Sequence, residues 1–330
     1  MASNIDESNC LVDENEAGSR LDRFLLRRLN GIDRSLVLRL IRKGNVRVNG
    51  KRMKPEGRLN LGDTIFLPLS LRSGEPSSTK RAQEEHTIPQ HILNSIERLY
   101  EDDDLLILNK PEGVVVHGGS GHDAGLIESL KKQLGLDELR LAHRLDRDTS
   151  GCLLLAKNLL TLRELTADFR VRDVQKTYLA WVEGHPYPYA ARITSHLSKG
   201  VVRGGERMVV SNDEGQESVT DYQVILLAEK EGLDYAMVAL TPHSGRTHQL
   251  RVQMQVQGHA ILADGKYATQ EAQKSAKKVL GCKALALHAW RLKIKHPRTG
   301  ALLDVRAPFP KRWQKSFANV GYELCAEAHF

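Results

Sequence analysis

Cysteine is scarce in this chain. There are 4 in 330 residues, Cys10, Cys152, Cys282 and Cys325, far apart and without a C-x-x-C pair. That spacing argues against a disulfide framework and against a cysteine zinc site, and it fits a reducing cytosol. His243, His248 and His259 share no metal-ligand spacing such as H-E-x-x-H, so no metal is expected. No apolar run approaches the ~20 residues of a membrane span. Met1 to Glu16 is acidic and polar, unlike a secretory signal. Gly-rich phosphate loops are missing as well. Gly118-Gly119-Ser120-Gly121 has no G-K-[ST] ending and does not fit G-x-S-x-G; it reads as a tight turn between strands. No internal repeat is evident.

What is present is an ordinary soluble composition, 41% hydrophobic and 27% charged, in a chain long enough for one full-sized domain and a small one. The charge is unevenly placed. Between Ser19 and Asp63 there are 13 Lys and Arg against 4 Asp and Glu, a net of +9, in a chain whose total is +7; the rest therefore sums to −2. A basic segment on a near-neutral partner is the footprint of a polyanion-binding module.

That segment predicts a small α+β domain over residues 17–68. Ser19 can cap a helix from about Arg20 to Leu29, with Leu21, Phe24, Leu25 and Leu29 on one face. A second helix begins near Asp33 or Ser35, buries Leu36, Leu40 and Ile41, and ends at Gly44. Val46 and Val48 flank Arg47 in a short strand, Asn49-Gly50 signals a hairpin, and a last strand runs from Thr64 to Leu67. Arg20, Arg23, Arg34, Arg39, Arg42, Lys43 and Arg47 are the candidate nucleic-acid contacts. Aromatics are few here, so phosphate and shape contacts are expected rather than base stacking. The plain alternative is a solvated face on a small helical unit.

Residues 69–95, with Ser73-Gly74-Glu75-Pro76-Ser77-Ser78, read as a flexible linker. Residues 96–330 then alternate strands and helices. Leu105–Leu108, Val114–Val116, Thr177–Val182 and Leu285–Leu292 read as strands. Leu126–Leu134, the stretch marked by Leu162, Leu165 and Phe169, and Thr247–Gln257 read as helices. Polar–apolar alternation between residues 190 and 240 predicts antiparallel sheet. His243-Ser244-Gly245 reads as a turn, and Ala307-Pro308-Phe309-Pro310 opens a final helix. The fold class expected is α+β, with a mixed, largely antiparallel sheet flanked by helices.

The chain is organised around His143-Arg144-Leu145-Asp146-Arg147-Asp148-Thr149-Ser150-Gly151. It runs into Cys152-Leu153-Leu154-Leu155-Ala156, an apolar run that reads as a buried strand. Loops held at the end of a core strand are where chemistry tends to sit. On residue types alone, a structural Arg–Asp clamp is the favoured explanation of this loop.

HRLDRDTSG resembles the motif of the RluA-type pseudouridine synthases, whose essential aspartate corresponds to Asp146. Two further stretches are similar to that family: Lys176-Thr177-Tyr178-Leu179-Ala180 to its tyrosine motif, and Gly245-Arg246-Thr247-His248-Gln249-Leu250-Arg251-Val252 to its basic motif. Asn109-Lys110-Pro111-Glu112-Gly113 and His117-Gly118-Gly119-Ser120-Gly121 narrow the likeness to the C-type branch acting on large-subunit ribosomal RNA. The small basic segment resembles the αL-type RNA-binding domain. The motif order is kept from about Arg20 to about Pro308. Three positions depart from the family pattern: Gln253 where His is commoner, Ala263-Asp264 where Gly-Asp is commoner, and Cys152 in place of an aliphatic residue.

The resemblance implies isomerisation of uridine to pseudouridine in ribosomal RNA, with no cofactor; apart from the resemblance, a monomer is expected. Asp146 would be the nucleophile or the base that takes a ribose proton. Arg251 would pair with it, Tyr178 would pack on the base and move a proton late in the reaction, and Arg144 would fill the gap left by the flipped uridine. Asp148 reads as structural. A non-catalytic ribosome-assembly protein is the competing reading. A methyltransferase would need a Gly-rich cofactor loop, which this chain lacks.

Overall fold

The computed structural model describes residues 9–14, 16–29, 34–68, 88–118, 125–171, 173–203, 206–279, 281 and 283–313. The chain divides into two units, Met1–Glu84 and Glu85–Phe330.

In the first unit, strands β1 (Asn9–Leu11), β2 (Arg47–Val48) and β3 (Thr64–Phe66) form an antiparallel sheet in the order β1-β3-β2. Cys10, Ile65 and Val48 lie side by side across it and are buried. Against them pack helix α1 (Leu21–Arg28), through Leu21, Phe24 and Leu25, and helix α2 (Arg34–Lys43), through Val37, Leu40 and Ile41. Asn49 and Gly50 take φ of 50° and 75°, and Val48 and Lys51 exchange both backbone bonds at 2.9 Å. This is the positive-φ hairpin turn expected of Asn-Gly. Ser19 does not cap α1. The cap residue is Arg20, and the Ser19 hydroxyl accepts a bond from Arg27 instead (2.7 Å). The sheet takes its first strand from residues ahead of the expected edge at 17.

The expected linker falls mostly on residues 69–87, outside the described residues. Among its described residues, helix α3 (Gln90–Ser95) buries Leu93 in the core of the second unit.

That unit is built on an eleven-stranded sheet. Its strands in chain order are β4 (Arg98–Glu101), β5 (Leu105–Lys110), β6 (Arg140–Leu141), β7 (Ser150–Ala156), β8 (Gln175–Glu183), β9 (Ala190–Arg203), β10 (Glu206–Ser211), β11 (Gln216–Lys230), β12 (Leu233–Pro242), β13 (Leu287–Lys295) and β14 (Leu302–Arg306). The main path is β10-β9-β11-β12-β8-β13-β7-β5-β4, with β14 on β13 and β6 on β7. Among the described residues every pairing in it is antiparallel except β13 with β7.

The unbroken apolar run of β7 has a simple cause. Leu153 and Leu155 join one core cluster while Cys152, Leu154 and Ala156 join another on the opposite face. A strand covered on both sides needs no polar alternation. The helices on this sheet are α4 (Leu126–Leu134), α5 (Leu159–Val171), α6 (Gln249–Val256) and α7 (Gln270–Val279).

Two expectations need correction. Val114–Val116 is not a strand. Val114 and Val116 are buried, and the carbonyls of Val115 and Val116 accept the N–H groups of Leu126 and Ile127, the first amides of α4. A short apolar run served a helix end instead of a ladder. Helix α6 starts two residues later than expected because His248 sits at φ 54° and cannot be helical. The Gly118–Gly121 turn falls largely on residues 119–121, outside the described residues, as does the final helix beyond residue 313.

Where β7 and β13 meet in parallel, Gly151 lies opposite Ala289 at φ +106°. A Cβ there would stand 2.2 Å from the Ala289 carbonyl oxygen. Gly151→Ala must therefore strain the backbone and push two strands apart, and a loss of about 3–5 kcal/mol is expected. A thermal melt checks it: a midpoint within 2 °C or so of wild type would show that the pairing yields easily.

Candidate active site

Residues 143–149 form the loop that enters β7, and three contacts hold it. The His143 imidazole accepts the Leu154 N–H through Nε2 at 3.1 Å. Burial pushes its pKa down to about 3, so it is a neutral pin. Thr149 N–H closes a turn on the Asp146 carbonyl at 3.2 Å. The third contact is Lys110, whose side chain is wholly buried. Its Nζ donates to the carbonyls of Pro111, Val114 and Arg147 at 2.8, 2.9 and 2.9 Å. Burial pulls its pKa down to about 7, opposed by Asp148, Asp146 and Glu112, while three carbonyls match the three N–H bonds of the ammonium form.

Across from this loop, residues 243–248 lead into α6. Buried Gln249 braces them. Its Oε1 accepts from Ser244 Oγ (2.9 Å) and Arg246 N–H (3.1 Å), and its Nε2 donates to Val219 O (3.1 Å) and Thr220 Oγ1 (3.0 Å). Between the two loops lies a cavity of ≈ 220 Å³, lined by Arg144, Asp146, Lys176, Tyr178, Arg246, His248 and Arg251 among others. It is smaller than the ~300–1,000 Å³ of typical small-molecule sites, a size for one base and its sugar rather than a large cofactor. Asp146 is the only carboxylate among the described residues lining it; the cations Arg144, Lys176, Arg246 and Arg251 surround it.

The four residues singled out for chemistry thus share one cavity. Arg251 Nη1 stands 3.4 Å from Asp146 Oδ2. Its stronger partner is one the sequence reading did not assign. Arg251 Nε and Nη2 donate to Asp264 Oδ2 and Oδ1 at 2.7 and 2.6 Å, both residues being buried. Burial works against the guanidinium charge, but the Asp264 bonds and charge outweigh it and its pKa is raised. Asp264 is reached through Ala263 at φ 56°, a left-handed conformation that explains why glycine suits the preceding position. Tyr178 is buried on β8. Desolvation first, and then the Asp146 charge, hold its hydroxyl well above the ordinary tyrosine pKa, so it is a neutral phenol. Arg144 is exposed at the cavity rim. Asp148 lies outside the lining and pairs with Arg147 at 2.9 Å.

Other departures from the family pattern are absorbed by packing. Gln253 accepts from Thr220 Oγ1 (2.6 Å) and donates to Ser195 Oγ (3.0 Å) and Ser218 O (2.9 Å). Cys152 is buried beside β13, and desolvation pushes its thiol up to about 12. Asp102, Asp104 and His296 are close enough together to hold an ion. Their atoms are already engaged: Asp102 with Tyr100 (2.6 Å) and His296 (2.7 Å), Asp104 with Arg298 (2.5 Å). None of the three lines the cavity.

In the small unit, Arg23, Arg39, Arg42, Lys43 and Arg47 are exposed. Arg20 is pinned to the buried carboxylate of Asp22 (3.0 and 2.9 Å), and Arg47 reaches the carbonyls of Gly44 and Gly50 (3.5 and 3.4 Å). Arg34 opens α2, and its side chain lies outside what is described.

Residues 104–256 match the family model for RNA pseudouridylate synthase, and residues 19–65 match the S4 domain. The chain is 40% identical over 297 residues to the ribosomal large subunit pseudouridine synthase C of Haemophilus influenzae, covering 90% of this chain and 89% of that one. It is 41% identical over 299 residues to the protein of that name from Salmonella typhimurium, covering 89% and 90%. The chain belongs to the RNA pseudouridine synthases. Among solved structures, this synthase is similar to human RNA Pseudouridylate Synthase Domain Containing 1. The TM-score is 0.56 at 26% identity, over 66% of this chain and 85% of that one. The synthase architecture is thus a large mixed sheet with flanking helices, preceded by an S4 domain, as the residue patterns indicated.

Three residues that matter to this site were missed by sequence reasoning as site residues: Asp264, His248 as an Asp146 neighbour, and Tyr267. Only Asp264 had left a signal, in the unusual Ala before it.

Proposed function

We propose that this synthase isomerises uridines of large-subunit ribosomal RNA, with Asp146 as the reacting carboxylate. The observation that carries the reading is a carboxylate, the only one among the described lining residues, facing a buried arginine at 3.4 Å in a cavity sized for one nucleoside. The reaction breaks the bond between ribose C1′ and uracil N1, turns the base, and joins C1′ to C5. C5 loses a proton and N1 gains one, so nothing is consumed. A hydrolase acting on a glycosidic bond needs a second carboxylate or its equivalent for water; this reaction does not. Asp146 either attacks the nucleoside or takes a ribose proton, and the Arg251 guanidinium 3.4 Å away aims its Oδ2. Tyr178, kept neutral, packs on the base and moves a proton in the last step. Arg144 at the rim occupies the space the flipped uridine leaves. The S4 domain, through Arg20, Arg23, Arg34, Arg39, Arg42, Lys43 and Arg47, holds the RNA by phosphate contacts. Residues 17–68 and 96–330 are the working modules joined by 69–95, in a monomeric enzyme of the cytoplasm. The relatives named for the large ribosomal subunit, matched over nearly their whole length, support this substrate.

The test is tritium release from transcripts labelled at uridine C5: large-subunit ribosomal RNA, small-subunit ribosomal RNA and transfer RNA. Release from the first alone is expected. Release from transfer RNA alone would replace the substrate, and tight binding with no release from any RNA would favour a ribosome-assembly protein.

A further inference from the structure

His248 lies at the head of α6 and lines the cavity. Its Nε2 is 3.8 Å from Asp146 Oδ2, the same oxygen that Arg251 addresses. Its Nδ1 is 2.8 Å from the hydroxyl of Tyr267. That hydroxyl oxygen already accepts the Val209 N–H at 3.0 Å. The ring of Tyr267 stands edge-on to His248, and the Arg251 guanidinium lies 5.1 Å over it. Two half-buried side chains thus lie between the Val209 amide and the Asp146 carboxylate.

The proton positions follow from the partners. Burial, the largest influence, lowers the His248 pKa to about 4. Arg251 and Lys266 also oppose protonation, while Asp146 and Asp264 favour it. At neutral pH the ring therefore carries one proton. If that proton sat on Nδ1, the Tyr267 oxygen would receive two donors and its own proton would have no partner among the described residues. A bare Nε2 lone pair would also face a carboxylate oxygen. With Tyr267 donating to Nδ1, both conflicts vanish and Nε2 carries the hydrogen toward Asp146.

We infer that Tyr267 and His248 form a positioning relay that presents a neutral N–H to Asp146 Oδ2 and leaves Oδ1 to react with the nucleoside. This rests on Asp146 being the reacting carboxylate. Among the described residues Oδ1 takes no hydrogen bond, whereas Arg251 and His248 both converge on Oδ2. A neutral donor orients the carboxylate without quenching it. A protonated imidazolium at the same place would pair with Asp146 and suppress its reactivity.

The experiment measures tritium release by the full chain with Tyr267→Phe, His248→Gln, the double variant and Asp146→Asn. Tyr267→Phe is expected to lower kcat about 10²-fold with KM within about twofold. Its acid limb should move up in pH by about one unit, because Nδ1 is no longer blocked by a donor. The double variant should lose no more than His248→Gln alone, since the tyrosine acts through the histidine. Wild-type kcat and acid limb in folded Tyr267→Phe would overturn the relay, as would losses that multiply in the double variant. Should Tyr267→Phe fail to fold, His248→Gln decides alone, with unchanged kcat counting against the inference. Activity retained by Asp146→Asn would instead sink the assignment of the reacting carboxylate, which separates the two failures.

Discussion

Asp146→Asn is expected to abolish tritium release, by about 10⁴-fold or more, while leaving fold and RNA affinity in place. The rate loss follows from the chemistry. An amide is neither a nucleophile nor a base at neutral pH, and no second carboxylate among the described lining residues can substitute. The fold should survive because the buried Arg251 keeps its bidentate partner Asp264, and Asp146 is its weaker contact at 3.4 Å against 2.6 and 2.7 Å. Affinity should stay the same or tighten slightly, since a negative charge is removed from a cavity that must receive a phosphodiester chain. Filter binding at two salt concentrations beside the release assay checks all three parts. Release within tenfold of wild type would move the chemistry to another residue. Lost binding with lost release would make the HRLD loop a clamp that holds RNA or structure.

The HRLD segment was legible as a loop entering a core strand because two independent patterns coincide there: a polar segment rich in Arg and Asp, and an apolar run whose unbroken character marks a strand covered on both faces. Helix Leu126–Leu134 was legible to the residue because its apolar spacing is helical and Gly135 stops it, in the left-handed conformation. The Asn-Gly turn was legible because few residue pairs tolerate positive φ twice in succession. Val114–Val116 misled for the converse reason. Three β-branched residues fit a strand, but the carbonyls of Val115 and Val116 are spent on the first amides of α4 and that of Val114 on the Lys110 ammonium, a tertiary demand with no local signature. Strands Arg98–Glu101 and Leu302–Arg306 were missed. Each alternates burial weakly, and each is recruited by a stronger neighbour, β5 and β13 respectively. In the site, Lys110 ends β5, and nothing local says that its ammonium would bond the carbonyl of a residue 37 positions away. Asp264 and Tyr267 are likewise assembled by the fold. The one clue was that glycine is commoner before Asp264, and φ 56° at Ala263 supplies its physical meaning.

Asp264→Ala carries the second large expectation: a loss of about 3–5 kcal/mol of stability and most of the activity of the molecules that stay folded. Asp264 is fully buried, and its carboxylate does three things at once. It neutralises Arg251 through two short bonds, it accepts the Lys266 N–H at 2.9 Å, and it accepts the Tyr267 N–H at 3.2 Å. Alanine leaves a guanidinium out of water without a full counter-charge, which is the costliest way to break such a pair. In a unit of this size the melting midpoint should fall on the order of 10 °C. Activity should fall for a separate reason. Arg251, released from Asp264, has Asp146 as its nearest remaining carboxylate and would hold it too tightly to react, while Tyr267 would lose its backbone anchor. Asp264→Asn separates the two effects: it keeps the acceptor for both amides but not the charge, so it should lose less stability than alanine while kcat still falls. A midpoint within 2 °C or so of wild type together with full kcat in Asp264→Ala would mean that Arg251 is neutralised mainly by Asp146. The strong member of the pair would then be the contact that is longer in the structure.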